Sequence, residues 1–281
     1  MPNTQNCYNI EKEDRVLKYY IWEGRLMKKL LVMLSAFALL CGSFSYAAKV
    51  PSAGDDVVAA SIILPYKDVS RRWRPLNKMK NQTKNLTDEE KSVIQKYVYG
   101  AVRGEDTYLL INCHLRGILQ HYIPAREITT PLKCRLDYYA KALSTTIAKT
   151  KLPQNMILYR GIDEKGMKYL FPNKNLSAVL SKPISNENLE ILKKQIVGEN
   201  YVEKGFMSTS YDKNCTRQTK FVFQVNAPKN LQAVLIEDIG KKQEKEVIIN
   251  KNTTWKITDV SIYSDKKTKR EYYLITIKYV L

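Results

Sequence analysis

The sequence predicts an α+β fold in which an N-terminal helical lobe packs on a mostly antiparallel, two-sheet β core. Two observations carry this prediction. Apolar residues recur at helical spacing up to about Lys149, and from Met156 onward short runs rich in β-branched and aromatic residues follow one another, interrupted by one helix at Asn186–Val197. The composition, 44% hydrophobic and 26% charged, is that of a globular protein.

The first part of the 281-residue chain has the pattern of an export signal. Residues 27–47 combine a short positively charged start, an apolar run and small residues at the end, which is typical of a secretory signal peptide. The apolar run is too short for a membrane-spanning helix, so we expect cleavage after Ala47 or Ala48 and a secreted mature chain. Residues 1–26 then form an upstream extension, as when a translation start is assigned too early.

The chain is strongly basic, with a formal net charge of +18. A surplus of this size suits a nucleic acid, a membrane surface, an acidic protein or an anionic cofactor, and charge alone does not choose among them. Residues 48–85 form a basic, proline-punctuated arm that includes three clustered arginines. A solvated arm or a surface helix is favoured there over a nucleic-acid contact.

The cysteines set limits on disulfide and metal chemistry. Two of the five precede the predicted cleavage site, which leaves Cys113, Cys134 and Cys215 in the mature chain. An odd number without paired spacing predicts neither a disulfide framework nor a zinc site. Whether Cys113 pairs with Cys134 is open at this point, because an exported chain meets conditions in which disulfides form.

The helical lobe is predicted from three amphipathic segments. Thr87–Glu90 has the pattern of a capping box, which opens the first helix. Asp106 is positioned to cap a second helix, in which Asn112 and Arg116 lie four residues apart and therefore share a face. That face is either an ordinary exposed polar surface or a clamp for phosphate and ribose, to which an arginine fork is well suited. A third helix is predicted over Leu136–Lys149.

Three polar motifs stand on the predicted strands. Arg160 ends the first strand, Ser208 lies in the second, and Glu244 and Glu246 begin a later one. Because strand side chains alternate between faces, both glutamates point the same way. Two like charges held that close cost free energy unless a cation shares them. The alternative is a solvated strand face in a chain rich in lysine and glutamate.

Taken together and in this order, Arg160 in LYRG, Ser208 in MSTS and the glutamates of EKEVII resemble the R-S-E class of arginine-specific mono-ADP-ribosyltransferases among secreted bacterial toxins. The second predicted helix adds the Ile-Asn-x-x-Leu-Arg pattern of that class at Ile111–Arg116. The resemblance extends over residues 86–281. It implies the ADP-ribosyltransferase fold for this catalytic domain and NAD as the substrate that donates ADP-ribose.

The resemblance also implies which residues bind NAD. Arg160 and Arg116 would supply positive charge to the diphosphate, with Asn112 as a hydrogen-bond partner. Gly161, which lacks a side chain, would allow its backbone to approach the nicotinamide amide.

Two glutamates and a serine would carry the chemistry. Glu246 would bind the ribose and stabilise the positive charge that develops on it, an electrostatic contribution made mainly in the transition state. Ser208 would hold Glu246 in place. Glu244 would engage the guanidinium of the acceptor arginine, since members with glutamine at this position modify asparagine instead.

The implied partner is a host protein that bears the acceptor arginine, with actin as a candidate. A separate translocation component is a candidate second partner, whereas we expect neither a nucleic-acid partner nor stable membrane insertion of the mature chain. The turn at 239–243 lacks the aromatic residue that members modifying Rho or actin usually carry there, which leaves the target open. Two alternatives are an NAD glycohydrolase, in which water replaces the acceptor, and a non-catalytic basic binding module.

Overall fold

The described chain runs from a helical half to a β half, as the sequence predicts. Three helices interrupt the strands, however, where one was predicted: Glu164–Leu170 and Ser177–Ser181 are present as well as Asn186–Ile196. The two that were missed have seven and five residues, too few for helical periodicity to show in the sequence. The computed structural model describes residues 67–68, 73–102, 104–215, 219–239, 245–265 and 269–280. The helices are α1 (Trp73–Lys84), α2 (Asp88–Tyr99), α3 (Thr107–Arg116), α4 (Thr130–Ile147), α5 (Glu164–Leu170), α6 (Ser177–Ser181) and α7 (Asn186–Ile196). The strands are β1 (Lys67–Asp68), β2 (Ala101–Val102), β3 (Glu105–Asp106), β4 (Met156–Ile162), β5 (Asn200–Glu203), β6 (Met207–Ser210), β7 (Phe221–Ala227), β8 (Ala233–Leu235), β9 (Glu246–Ile249), β10 (Thr253–Asp265) and β11 (Arg270–Val280).

The helix starts follow from local capping chemistry. At α2 the Thr87 hydroxyl accepts a hydrogen bond from the Glu90 backbone N–H, and the Glu90 carboxylate accepts one from the Thr87 N–H, which confirms the predicted capping box. Asp106 is the N-cap residue of α3, as predicted, but its side chain makes no capping hydrogen bond. Its backbone pairs with Ala101 in a short hairpin. Helix α4 corresponds to the third predicted helix but begins six residues before the predicted start at Leu136. At its N-cap the Thr129 hydroxyl accepts a hydrogen bond from the Leu132 N–H.

The main sheet has nine strands in the order β5-β10-β11-β7-β4-β6-β9-β8, with β1 paired to β4. All neighbours are antiparallel except β11 with β7 and β1 with β4. The two sheets that the sequence predicts are therefore joined into one path. A single residue pair, Tyr159 opposite Ser210, makes the link between β4 and β6.

Helix α1 lies within the stretch predicted as a basic arm, yet it packs against the sheet. Leu76 and Met79 are buried in the same apolar cluster as the strands. The Thr83 hydroxyl donates to the Leu235 carbonyl oxygen (3.0 Å), which satisfies an acceptor on the edge strand β8. The folded domain in the structure therefore begins before residue 86.

Two large apolar clusters stabilise the described fold, together with a small third one at Tyr159, Val222 and Tyr272. One lies within the β half and includes Trp255, Phe221 and Phe223, all fully buried. The other joins the helices to the back of the β6–β9 pair, where Phe206 and Ile248 contribute from the sheet side. Within the described residues, no helix is both long and apolar enough to cross a membrane. The predicted signal peptide lies outside the described residues.

Candidate functional site

Strands β6 and β9 bring Ser208 and Glu246 together. The register places Ser210 opposite Glu246 and Ser208 opposite Ile248, so Ser208 and Glu246 are diagonal neighbours on one face. The Ser208 hydroxyl donates a hydrogen bond to Oε1 of Glu246. Ser208 is exposed and Glu246 is half-buried, so this hydrogen-bonded pair faces open space.

The two residues after Ser208 fasten β6 to β9. The Thr209 hydroxyl donates to the Val247 carbonyl oxygen (2.6 Å), and the Ser210 hydroxyl lies 2.8 Å from the Lys245 carbonyl oxygen. These contacts fix the backbone on both sides of Glu246. Glu244, the other predicted glutamate, lies outside the described residues.

A buried carboxylate holds two arginines from different elements. Glu203, at the end of β5, is 2% exposed. Nε of Arg116 donates to its Oε1 (2.9 Å) and an Nη of the same guanidinium donates to its Oε2 (3.0 Å), which is a bidentate ion pair. Nη1 of Arg160 is 3.5 Å from the same Oε2. The structure therefore brings the two predicted phosphate-binding arginines together through a third residue.

Electrostatics keep this cluster ionised. Burial raises the pKa of Glu203, but the charges of Arg160 and Arg116, with hydrogen bonds from Arg116 and the Gly205 N–H, hold that pKa below its ordinary value. Burial lowers the pKa of Arg116, but Glu203 more than compensates and the net shift is upward. Two guanidinium groups around one carboxylate leave one net positive charge. Such a site suits an anionic ligand.

Asn112 connects α3 to the segment that leads into β6. It is buried, its Oδ1 accepts from the Phe206 N–H (2.8 Å), and its Nδ2 donates to the Tyr97 hydroxyl (2.8 Å). Gly205 allows this close approach, since a Cβ there would lie 2.6 Å from Asn112 Oδ1 and 3.3 Å from Arg116 Nε. The observed hydrogen bonds of Asn112 are thus internal, and its contact with a cofactor stays a prediction.

The charges of Glu246, Arg160 and Arg116 all act on the buried hydroxyl of Tyr97. Burial raises its pKa well above the ordinary value, and the charge of Glu246 raises it further, whereas the hydrogen bond from Asn112 and the charges of Arg160 and Arg116 lower it. Glu246 and both arginines are therefore close enough to act on one buried group. Residues from separate predicted motifs therefore lie in one neighbourhood of the fold.

Sequence reasoning missed Glu203. A signal was present, because in the strand Asn200–Glu203 the inward positions are Tyr201 and Glu203, and a carboxylate at an inward position needs a cationic partner. Gly161 follows Arg160 in β4 as predicted, and its role stays a prediction. Tyr211, which directly follows β6, is 5% exposed and donates to Glu237 (3.2 Å).

Two further features concern cysteines and metals. No disulfide joins Cys113 to Cys134 in the structure. The described part of the chain contains no group of three or more side chains suited to bind a metal ion. The polar side chains of the site described above are those of arginine, glutamate, serine and asparagine.

Comparison with known proteins adds independent information. The family model for the ADP-ribosyltransferase exoenzyme matches residues 70–280. A comparison with curated protein sequences finds no significant match.

Solved structures with this fold include several toxins. Plx2a, an ADP-ribosyltransferase toxin from Paenibacillus larvae, is 19% identical with a TM-score of 0.56, and the match covers 75% of this chain and 94% of that one. The C3 exoenzyme of Clostridium limosum is 20% identical with a TM-score of 0.53, covering 77% and 96%. BECa, an ADP-ribosylating toxin of a C. perfringens binary enterotoxin solved with NADH, is 22% identical with a TM-score of 0.59, covering 76% of this chain and 49% of that one. At these identities the likeness establishes the fold.

Proposed function

Because the chain belongs to the ADP-ribosyltransferase exoenzyme family, we propose that it is a secreted, toxin-like enzyme that transfers ADP-ribose from NAD to an arginine of a host protein. The observation that carries this proposal is the Ser208–Glu246 hydrogen bond on an open strand face. Glu246 lies close enough to the two arginines for all three charges to act on the hydroxyl of Tyr97. Related toxins have been solved with NADH or NAD, which supports NAD as the substrate.

The cationic half of the site fits the diphosphate of NAD. Among the described residues, Arg160 makes one long hydrogen bond to Glu203, so most of its N–H groups remain available. Its side chain is 19% exposed, which leaves it accessible from the cleft. Arg116 adds positive charge beside it. Gly161 directly follows Arg160 in β4, and Asn112 precedes Arg116 by four residues in α3. A planar guanidinium is well suited to two phosphate oxygens at once.

The anionic half of the site fits the reacting sugar. When NAD is bound, nicotinamide leaves C1′ of its ribose with the bonding electron pair, and positive charge develops on the ribose. The carboxylate of Glu246 stabilises that charge, as carboxylates do in glycosidases. The Ser208 hydroxyl donates a hydrogen bond to Glu246 and so keeps the carboxylate in one orientation.

The acceptor prediction rests on Glu244. It stands two residues before Glu246, so its side chain is expected on the same face but nearer the turn. There it would orient the guanidinium of the incoming arginine and take the proton that the attacking nitrogen loses. The host target, with actin as a candidate, and a separate translocation partner remain part of this proposal.

One experiment separates the possible functions. The mature chain is incubated with NAD labelled in the adenylate and with a host-cell lysate, and both protein-bound label and free ADP-ribose are measured. Label on a protein, in a linkage with the hydroxylamine sensitivity of ADP-ribosylarginine, supports the proposal. Free ADP-ribose alone indicates an NAD glycohydrolase, and neither product indicates a binding module.

A second experiment tests the acceptor. The Glu244→Gln variant and the parent are compared for transfer onto agmatine and for hydrolysis of NAD by water. We expect transfer to fall by roughly 10²-fold while most hydrolysis remains, because positioned acid–base help is lost only for the acceptor. Glu190→Gln, which removes an exposed carboxylate, is the control. Equal loss of both activities would remove Glu244 from acceptor binding.

A further inference from the structure

We propose that Glu203 is a positioning residue that orients both guanidinium groups of the site for the diphosphate of NAD. This inference rests on the proposed function and adds a residue that the sequence motifs do not include. Glu203 touches both arginines, although Arg116 comes from helix α3 and Arg160 from strand β4. Glu203 therefore holds together two arginine side chains that come from separate parts of the fold, so that they can bind one ligand.

The two arginines make different numbers of hydrogen bonds to Glu203: Arg116 makes two and Arg160 makes one. Arg116 donates to the carboxylate through Nε and Nη2, so its Nη1 is not used in this ion pair. Arg160 uses only Nη1. Among the described residues, Glu203 is the sole hydrogen-bond acceptor for either guanidinium. Without it, neither planar group has a polar partner that fixes its orientation.

Glu203 is itself held firmly. It ends β5, and the backbone N–H of Gly205 donates to its Oε1 (2.9 Å). The Tyr169 ring also lies over the Arg116 guanidinium, with 5.9 Å between the guanidinium carbon and the ring centroid. The same segment continues into Ser208 in β6, so the orientation of the arginines and the placement of Ser208 share one piece of backbone.

Two possible roles of Glu203 predict opposite effects on NAD affinity. If the carboxylate merely offsets positive charge, then removing its charge raises the net charge of the cluster from +1 to +2 and strengthens binding of the anionic diphosphate. If it positions the arginines, removing its charge loosens both guanidinium groups and weakens binding despite the added positive charge. The measured direction of the change therefore identifies the role.

The test is a titration of the mature chain with NAD, together with steady-state hydrolysis of NAD, for the parent and for Glu203→Gln. We expect the Kd and KM for NAD to rise by about 10–100-fold in the variant, the scale of losing hydrogen bonds to charged groups. We expect kcat to fall much less, because Glu246 and Ser208 are unchanged. Glu199→Gln is the matched control, since it removes the same charge from a surface pair with Lys174, and it should leave NAD affinity unchanged.

A second variant covers the case in which Glu203→Gln fails to fold. Glu203→Asp keeps the charge but shortens the side chain by one methylene, so it should bind NAD more weakly than the parent and more tightly than Glu203→Gln. Tighter or unchanged NAD binding in both variants would overturn the positioning role. A parent chain that neither binds nor cleaves NAD would instead overturn the proposed function itself, so the two failures are distinguishable.

Discussion

Replacing Gly205 by alanine should disturb the site through a steric clash whose size can be worked out from the structure. The new Cβ would lie 2.6 Å from Oδ1 of Asn112, and contact distances below 3.0 Å require something to move. Asn112 cannot swing aside freely, because its side chain is hydrogen-bonded to Phe206 and Tyr97 at 2.8 Å each. The clash should therefore strain the hydrogen bonds of Asn112, including the one that connects α3 to the segment leading into the strand of Ser208.

The expected cost is about 2–4 kcal/mol in the free energy of unfolding. Overpacking of a tight site costs about 1–3 kcal/mol, and each strained hydrogen bond about 1 kcal/mol more. Gly205 does not have a positive φ, so its backbone conformation is open to alanine. Alanine therefore offsets about 0.4–1 kcal/mol of this cost, because it lowers the conformational entropy of the unfolded chain. Affinity for NAD should fall as well, since the same Cβ would lie 3.3 Å from Nε of Arg116.

Urea unfolding followed by circular dichroism, with an NAD titration alongside, measures both effects. The control is Gly198→Ala, where φ is +89° and no atom lies within 4 Å of the built Cβ. Its backbone strain should cost about 1–2 kcal/mol and leave NAD binding unchanged. A Gly205→Ala variant within 0.5 kcal/mol of the parent and with the parent's NAD affinity would refute the reasoning, where about 0.5 kcal/mol is the scatter of neutral substitutions.

Three other predictions follow from the same structure. Glu246→Gln should lower both transfer and NAD hydrolysis by roughly 10²-fold or more while NAD still binds, and an assay of purified variant with near-normal turnover would contradict it. Because the folded-state pKa of Glu203 lies below its ordinary value of 4.5, its ionised form stabilises the fold above that pH and the contribution is lost as pH falls through the lower folded value. The difference in the free energy of unfolding between the parent and Glu203→Gln, measured in urea, should therefore become smaller below about pH 4. A difference that stays constant with pH would show that Glu203 does not titrate in this way. Burial raises the pKa of the Cys113 thiol to about 11, so little reactive thiolate forms there at pH 8. Iodoacetamide should therefore modify the half-buried Cys134 roughly tenfold faster than Cys113 or more, as measured by site-resolved mass spectrometry. Equal rates at the two cysteines would contradict the burial of Cys113.

Much of the local structure could be predicted from the sequence alone. The capping box at Thr87, the placement of Ser208 within a strand and the start of a strand at Glu246 were all predicted and are all observed. Each of these features depends on residues within about four positions of one another, where capping hydrogen bonds and the alternation of strand faces act. The family resemblance reached the same residues because its motifs are equally local.

The partners of these residues were decided only by the tertiary structure. Arg116 and Glu203 are separated by 87 positions in the chain, and Asn112 and Phe206 by 94. Alternation could mark Glu203 as an inward carboxylate, but it could not say which cation meets it, because many of the chain's 46 lysines and arginines would satisfy the same electrostatic need. Only strand order and helix packing choose among them. The short β5 strand and the close approach at Gly205 place one carboxylate between α3 and β4, and so determine which arginines share it.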